Sequence, residues 1–106
     1  MVTAAGEIDL TNAESLRDAL LSALNAGALG LVVDLTATTF LDSAGVTALV
    51  RASRRSAATE ATLRLAVTAA PVLRVLNLVG IDQLIEIYPS VRDAVASLPE
   101  HRTEPA

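Results

Sequence analysis

The chain has 106 residues, 52% of them hydrophobic and 19% charged, a size and balance that fit one domain with its own core. It contains no cysteine, which excludes a disulfide framework, thiol catalysis and cysteine metal sites. All 8 basic residues are arginine, which excludes a P-loop lysine and lysine Schiff-base chemistry. The formal net charge of -4 argues against nucleic-acid binding, which needs a basic face for the phosphates, and no apolar run approaches the roughly 20 residues of a membrane span. The start shows no basic cluster of a secretory signal, so a cytoplasmic protein is expected, with no membrane and no direct nucleic-acid partner.

Val2 to Ile8 reads as the end of a strand with Gly6 as a kink. Thr11 and Glu14 fit a capping box, which predicts a helix from Asn12. Leu16, Ala19, Leu20, Ala23 and Leu24 supply its buried stripe, and Gly27 its end. Leu31 to Leu35 lacks alternation and reads as a central strand buried on both faces. Thr36 to Thr39 then reads as a loop over the sheet, with Asp34 ending the strand and finding partners among those threonines.

A second helix is predicted from Ser43 to Ala58, with Val46, Leu49, Val50 and Ser53 inward and Arg51, Arg54 and Arg55 outward or flanking. Leu63 to Val67 reads as the next strand, and Pro71 opens a third helix with the stripe Val72, Val75, Leu76 and Val79, stopped by Gly80. Leu84 to Ile87 gives a fourth strand. The last helix starts near Ser90, buries Val91, Ala94, Val95 and Leu98, and stops at Pro99. Residues 100–106 are polar and read as a disordered tail, which holds the only histidine, His101. Strand and helix alternate four times, which predicts an α/β domain over residues 1–99 around a mixed, mostly parallel sheet of four to five strands with about four helices.

The functional crevice of such a sheet lies at the carboxyl ends of its strands, where Thr36 to Gly45, T-A-T-T-F-L-D-S-A-G, should emerge. Asp42 and Ser43 before an apolar-periodic segment are first of all capping residues. A serine hydroxyl at a helix start is also a candidate phosphoacceptor, because the terminal N–H groups and helix dipole accommodate negative charge. A nucleophilic-serine hydrolase is disfavoured, since the first glycine of G-x-S-x-G is missing and the tail histidine is the only base of its kind. Asp9, Asp34, Asp42 and Asp82 match no metal-ligand spacing, so neither metal nor cofactor is expected. Phe40 reads as a core plug beneath the loop, with an exposed partner patch as the alternative. The arginines after Val50 read as a solvated face, with an acidic partner surface as the second possibility.

G-E-I-D-L at Gly6 to Leu10, V-V-D-L-T at Val32 to Thr36, T-F-L-D-S-A-G, L-R-L-A-V, and V-L-R-V-L-N-L-V-G-I-D at Val72 to Asp82 resemble, in this order, a STAS domain of the bacterial anti-sigma factor antagonist type. The resemblance implies a regulatory protein without catalysis of its own. Such proteins bind an anti-sigma factor, often a serine kinase, until phosphorylation releases them, and a PP2C-type phosphatase restores them. By position it makes Ser43 the phosphoacceptor, places Thr39, Phe40, Asp42, Ser43, Ala44 and Gly45 in the partner-binding surface, and leaves Asp34 a structural role near the site. Ala44 stands where many members carry a second serine. Only Met1 to Ala5 precede the G-E-I-D block, so a missing first strand, an exposed sheet edge and a homodimer through it are further expectations. The alternative within the same fold is a scaffold or a nucleotide- or small-ligand-binding module without partner switching.

Overall fold

The computed structural model describes residues 1–99, so the expected tail lies outside the described residues. The element order is β1 (Val2–Ile8), α1 (Ala13–Asn25), β2 (Gly30–Leu41), α2 (Ser43–Ala58), β3 (Thr62–Val67), α3 (Ala70–Leu78), a 3-10 turn (Ile81–Gln83), β4 (Glu86–Tyr88) and α4 (Val91–Ala96). The strands lie side by side in sequence order, and every neighbouring pair is parallel. The sheet is therefore wholly parallel rather than mixed, with β1 and β4 at its edges.

Period-two alternation divides the sheet into two faces. Leu31, Val33 and Leu35 of β2 join Leu63, Leu65 and Val67 of β3 in one buried cluster with Leu16, Leu20 and Leu24 of α1, Leu49 of α2, and Val72 and Leu76 of α3. Among the described residues the opposite face is covered by α4, through Val32, Ala66 and Ala94 with Tyr88, Val91 and Leu98 against them. Beyond α4 that face turns polar. Arg64 donates to Ser97 Oγ and pairs with Glu86, while Asp34 Oδ1 accepts from Thr36 N at 3.0 Å and Thr36 Oγ1 at 2.6 Å. Asp34 is half-buried, and its partner is one of the threonines expected for it.

Four expectations are corrected here. The stretch Thr36 to Thr39 is not a loop, because β2 continues unbroken to Leu41 and pairs with β1 as far as Ile8 opposite Leu41. Asp34 therefore sits within the strand instead of ending it. The capping box at Thr11 does not form. Thr11 Oγ1 donates to Asp9 Oδ1, Asn12 is the N-cap without a side-chain cap bond, and Asn12 Oδ1 accepts from Asp9 N. Val79 and Val95 are exposed, at 54% and 51%, because α3 and α4 end within a turn of them and carry them past the sheet. The fourth strand starts two residues later than expected, since the 3-10 turn after Gly80 occupies the approach to it.

The helix stripes differ in part as well: Ala19 is exposed, and the buried row of α2 is Gly45, Ala48, Leu49, Ala52 and Ser56, so that of the expected Val46, Leu49, Val50 and Ser53 only Leu49 is fully buried. The helix boundary signals at Pro71, Gly80 and Ser90 agree with the structure. Pro71 stands in the first turn of α3, and Gly80 follows that helix at φ 83, a left-handed conformation that suits glycine. Ser90 Oγ caps α4 by accepting from Asp93 N at 3.0 Å. Among the described residues no helix is long and apolar enough to cross a membrane.

Candidate functional site

Two turns of chain meet where β1 and β2 end, one leading into α1 and one into α2. Asp42 N donates to Ile8 O at 3.0 Å, so the start of α2 is tied to the last residue of β1. Asn12 Nδ2 donates to Glu7 O at 2.8 Å, which ties the start of α1 to the same strand. Asp42 caps α2: its Oδ1 accepts from Ala44 N at 2.8 Å and Gly45 N at 3.3 Å, occupying two of the amides that a helix start leaves unpaired.

Gly45 explains how closely the helix start approaches the sheet. It is buried, and a Cβ there would lie 2.3 Å from Leu41 Cδ1 and 3.0 Å from Ile8 Cγ2. Without a side chain at this position the first turn of α2 settles onto the buried ends of β1 and β2. Gly45 therefore supports the site from beneath and presents no side chain to a partner.

Ser43 is the first residue of α2 and is exposed. Its backbone oxygen accepts from Thr47 Oγ1 at 2.9 Å, whereas its own hydroxyl has no hydrogen-bond partner among the described residues. It opens onto a cleft of about 400 Å³ between α1 and α2, lined by Leu10, Ala13, Glu14 and Arg17 on one side and by Ser43, Ala44, Thr47, Ala48 and Arg51 on the other. Ala44 is half-buried in that wall. Thr39 and Phe40, at the end of β2, are exposed, and Phe40 at 46% exposure is not the expected plug. Leu41 points into the core, so its strand neighbour must point out.

The structure thus places Ser43 and Ala44 in the lining of the cleft, with Asp42 just before them as the helix cap, and leaves Asp34 farther back along β2. Sequence reasoning passed over Leu10, which is 84% exposed, and Arg17; Arg51, which also lines the cleft, belongs to the arginines read as a solvated face or, second, as meeting an acidic partner surface. Leu10 carried a signal, being an apolar residue in a turn and outside every helical stripe.

The nearby carboxylate Asp9 accepts from Thr11 Oγ1 at 2.5 Å and Thr11 N at 2.8 Å, and these two bonds hold its pKa below the ordinary 3.8. Among the described residues no three acidic or histidine side chains stand together as metal ligands would.

Comparison with known proteins supplies the family. No curated protein matches the sequence significantly. Among solved structures, an anti-sigma factor antagonist from Mycobacterium paratuberculosis is similar at a TM-score of 0.84 and 26% identity, over 92% of this chain and 83% of that one. An anti-sigma-factor antagonist (STAS) domain protein from Planctomyces limnophilus matches at 0.77 and 20%, over 88% and 80%. The anti-sigma factor antagonist SpoIIAA in its unphosphorylated form matches at 0.67 and 19%, over 89% and 82%. The latter two identities speak for the fold alone. The family profile of the STAS domain matches residues 1–94, nearly the whole of the described chain, and the protein belongs to the STAS domain family.

Proposed function

We propose that this protein is a cytoplasmic anti-sigma factor antagonist. With Ser43 unmodified it binds an anti-sigma factor that is also a serine kinase; phosphorylation of Ser43 releases it, and a PP2C-type phosphatase restores it. The observation that carries the reading is the Ser43 hydroxyl, exposed and, among the described residues, unbonded at a helix start beside a carboxylate already committed to the cap. In the modifying step Ser43 Oγ forms a bond to the γ-phosphorus of ATP, ADP leaves, and the hydroxyl proton passes to a base of the kinase. The chain itself acts as a substrate and a binding surface, and no catalytic role is assigned to its residues.

The switch has a physical basis. A phosphate adds about -1.5 to -2 charge at neutral pH. Next to Asp42 in a contact surface it brings like-charge repulsion and a desolvation cost. A loss of about 3 kcal/mol would weaken binding more than a hundredfold.

The test is affinity capture with mass spectrometry, comparing wild type, Ser43→Ala and Ser43→Glu, followed by calorimetry with the kinase recovered. Ser43→Ala should retain the kinase and resist modification, and Ser43→Glu should lose it. Equal affinity for the two variants would remove Ser43 from the mechanism. Loss of an intrinsic ester-hydrolysis activity in Ser43→Ala would replace the reading by an enzymatic one.

A further inference from the structure

Of the eight arginines in the sequence, three lie on α2, and that helix contains no acidic residue although the chain carries a net charge of -4. Ser43, Thr47, Arg51 and Arg54 follow one another at i, i+4, i+8 and i+11, so they share a strip of the helix surface, and all four are exposed. Arg55, at the flank, donates through Nε to Asn25 Oδ1 at 2.6 Å. Arg51 and Arg54 have no carboxylate within ion-pair distance among the described residues; the ion pairs formed there involve Arg17 and Arg64. Helical side chains lean toward the N-terminus, so the Arg51 side chain inclines back along the strip toward Thr47 and Ser43. Arg51 also closes one wall of the cleft that Ser43 opens onto, opposite Leu10 and Ala13 and the pair Glu14 and Arg17, whose charges stand 3.9 Å apart.

We infer that this strip, running from Ser43 along α2 to Arg54, is the surface on which the partner docks, and that the partner segment seated there is acidic, with apolar side chains for the Leu10–Ala13 wall. The inference rests on the partner-switching reading and gives it a sign. An acidic segment is drawn to Arg51 and Arg54, and a phosphate on Ser43 places negative charge at one end of the same strip. It both competes for Arg51 and repels the segment directly. The phosphate therefore acts against an attraction already built into the helix, so repulsion from Asp42 alone need not release the partner. Long-range charge of this kind also steers encounter, which makes the association rate fall with salt.

The experiment uses the full chain and the kinase that Ser43→Ala retains. Affinities are measured by calorimetry for wild type, Arg51→Glu/Arg54→Glu, and the charge-matched control Arg74→Glu/Arg92→Glu, whose arginines are exposed on α3 and α4. Circular dichroism verifies that each variant keeps its helices. At about 0.05 M salt, where charges act over distances longer than at physiological strength, the α2 pair should bind about tenfold or more weaker than wild type, and the control should bind like wild type. At about 0.5 M salt the gap should narrow. Unchanged binding of the α2 pair, or equal losses in both pairs, would overturn the docking strip while the contrast between Ser43→Ala and Ser43→Glu still stood. If Ser43→Ala and Ser43→Glu bind the kinase alike, the switching reading fails, and the strip as its surface fails with it.

Discussion

Gly45→Ala tests whether the seat of α2 is as tight as the geometry implies. The new Cβ would lie 2.3 Å from Leu41 Cδ1 and 3.0 Å from both Leu41 Cγ and Ile8 Cγ2, where ordinary carbon contacts run to about 3.5–4.0 Å. Leu41 and Ile8 are 1% and 2% exposed, so neither can swing into solvent to make room. An approach of 2.3 Å lies in the upper part of the overpacking range, about 2–3 kcal/mol, against which alanine gains about 1 kcal/mol over glycine in a helix. The expected net loss is about 1–2 kcal/mol, which for a domain of this size lowers Tm by roughly 5–15 °C. Thermal and urea unfolding measure it. A double-mutant cycle with Leu41→Ala assigns it, since removing the Leu41 side chain vacates the space and the double variant should lose less than the two singles together. A Tm at or above wild type for Gly45→Ala, or strict additivity in the cycle, would refute the claim that a missing side chain sets this approach.

Further substitutions separate the parts of the site. Asp42→Ala should cost about 1 kcal/mol of stability in urea unfolding through loss of the cap to Ala44 and Gly45, and Asp42→Asn, which can still accept those bonds, should cost a few tenths; equal losses would argue against capping. Asp9 should titrate below 3.8 in an NMR pH series, and Thr11→Val should raise it by removing the hydroxyl bond while the backbone bond remains. Because the folded-state pKa is the lower one, the stabilisation from these bonds is fully present above pH 3.8 and is lost as pH falls through the folded value, so Thr11→Val should lower stability at neutral pH, leave it unchanged from this source well below the folded pKa, and so weaken the acid dependence between the two. Ser43→Glu should change Tm little, since a carboxylate at a helix start is favourable by some tenths of a kcal/mol; a large destabilisation would mean that the phosphate acts on the fold and not on the partner.

Much of this architecture was legible because each segment carries its own period. The buried Leu16, Leu20 and Leu24 of α1, Leu49 of α2, Pro71 inside α3, Gly80 after it and the Ser90 cap all follow from spacing and backbone preference. Legibility failed where pairing decides. Thr36 to Phe40 looked like a loop because its residues are small and polar, yet threonine and phenylalanine also favour a pleated, half-buried surface, and β1 was available to pair with it. The pairing is irregular, with register shifts near Ala5 and Gly6, and no sequence period announces such bulges. Once the strand is extended to Leu41, Phe40 must turn outward. At Thr11 the motif was present but Asp9, two residues earlier, took the threonine hydroxyl, a competition between local hydrogen bonds that spacing alone cannot rank.

The length of β2 also bears on how the site would work. Had Thr36 to Leu41 been a loop, a charge added at Ser43 could be relieved by moving that loop, and the change would be read as altered order. Instead Ser43 follows a paired strand by two residues, with Asp42 N bonded to Ile8 O and the first turn of α2 seated on Leu41 and Ile8. The hydroxyl stands on a rigid corner, and its own N-terminal position lets the fold tolerate a phosphate. A modification that the fold accepts without moving can be sensed only by what approaches from outside. The same fixed corner keeps Ser43 in line with Arg51 and Arg54 on α2, so the two opposing charges would meet a partner in one rigid array.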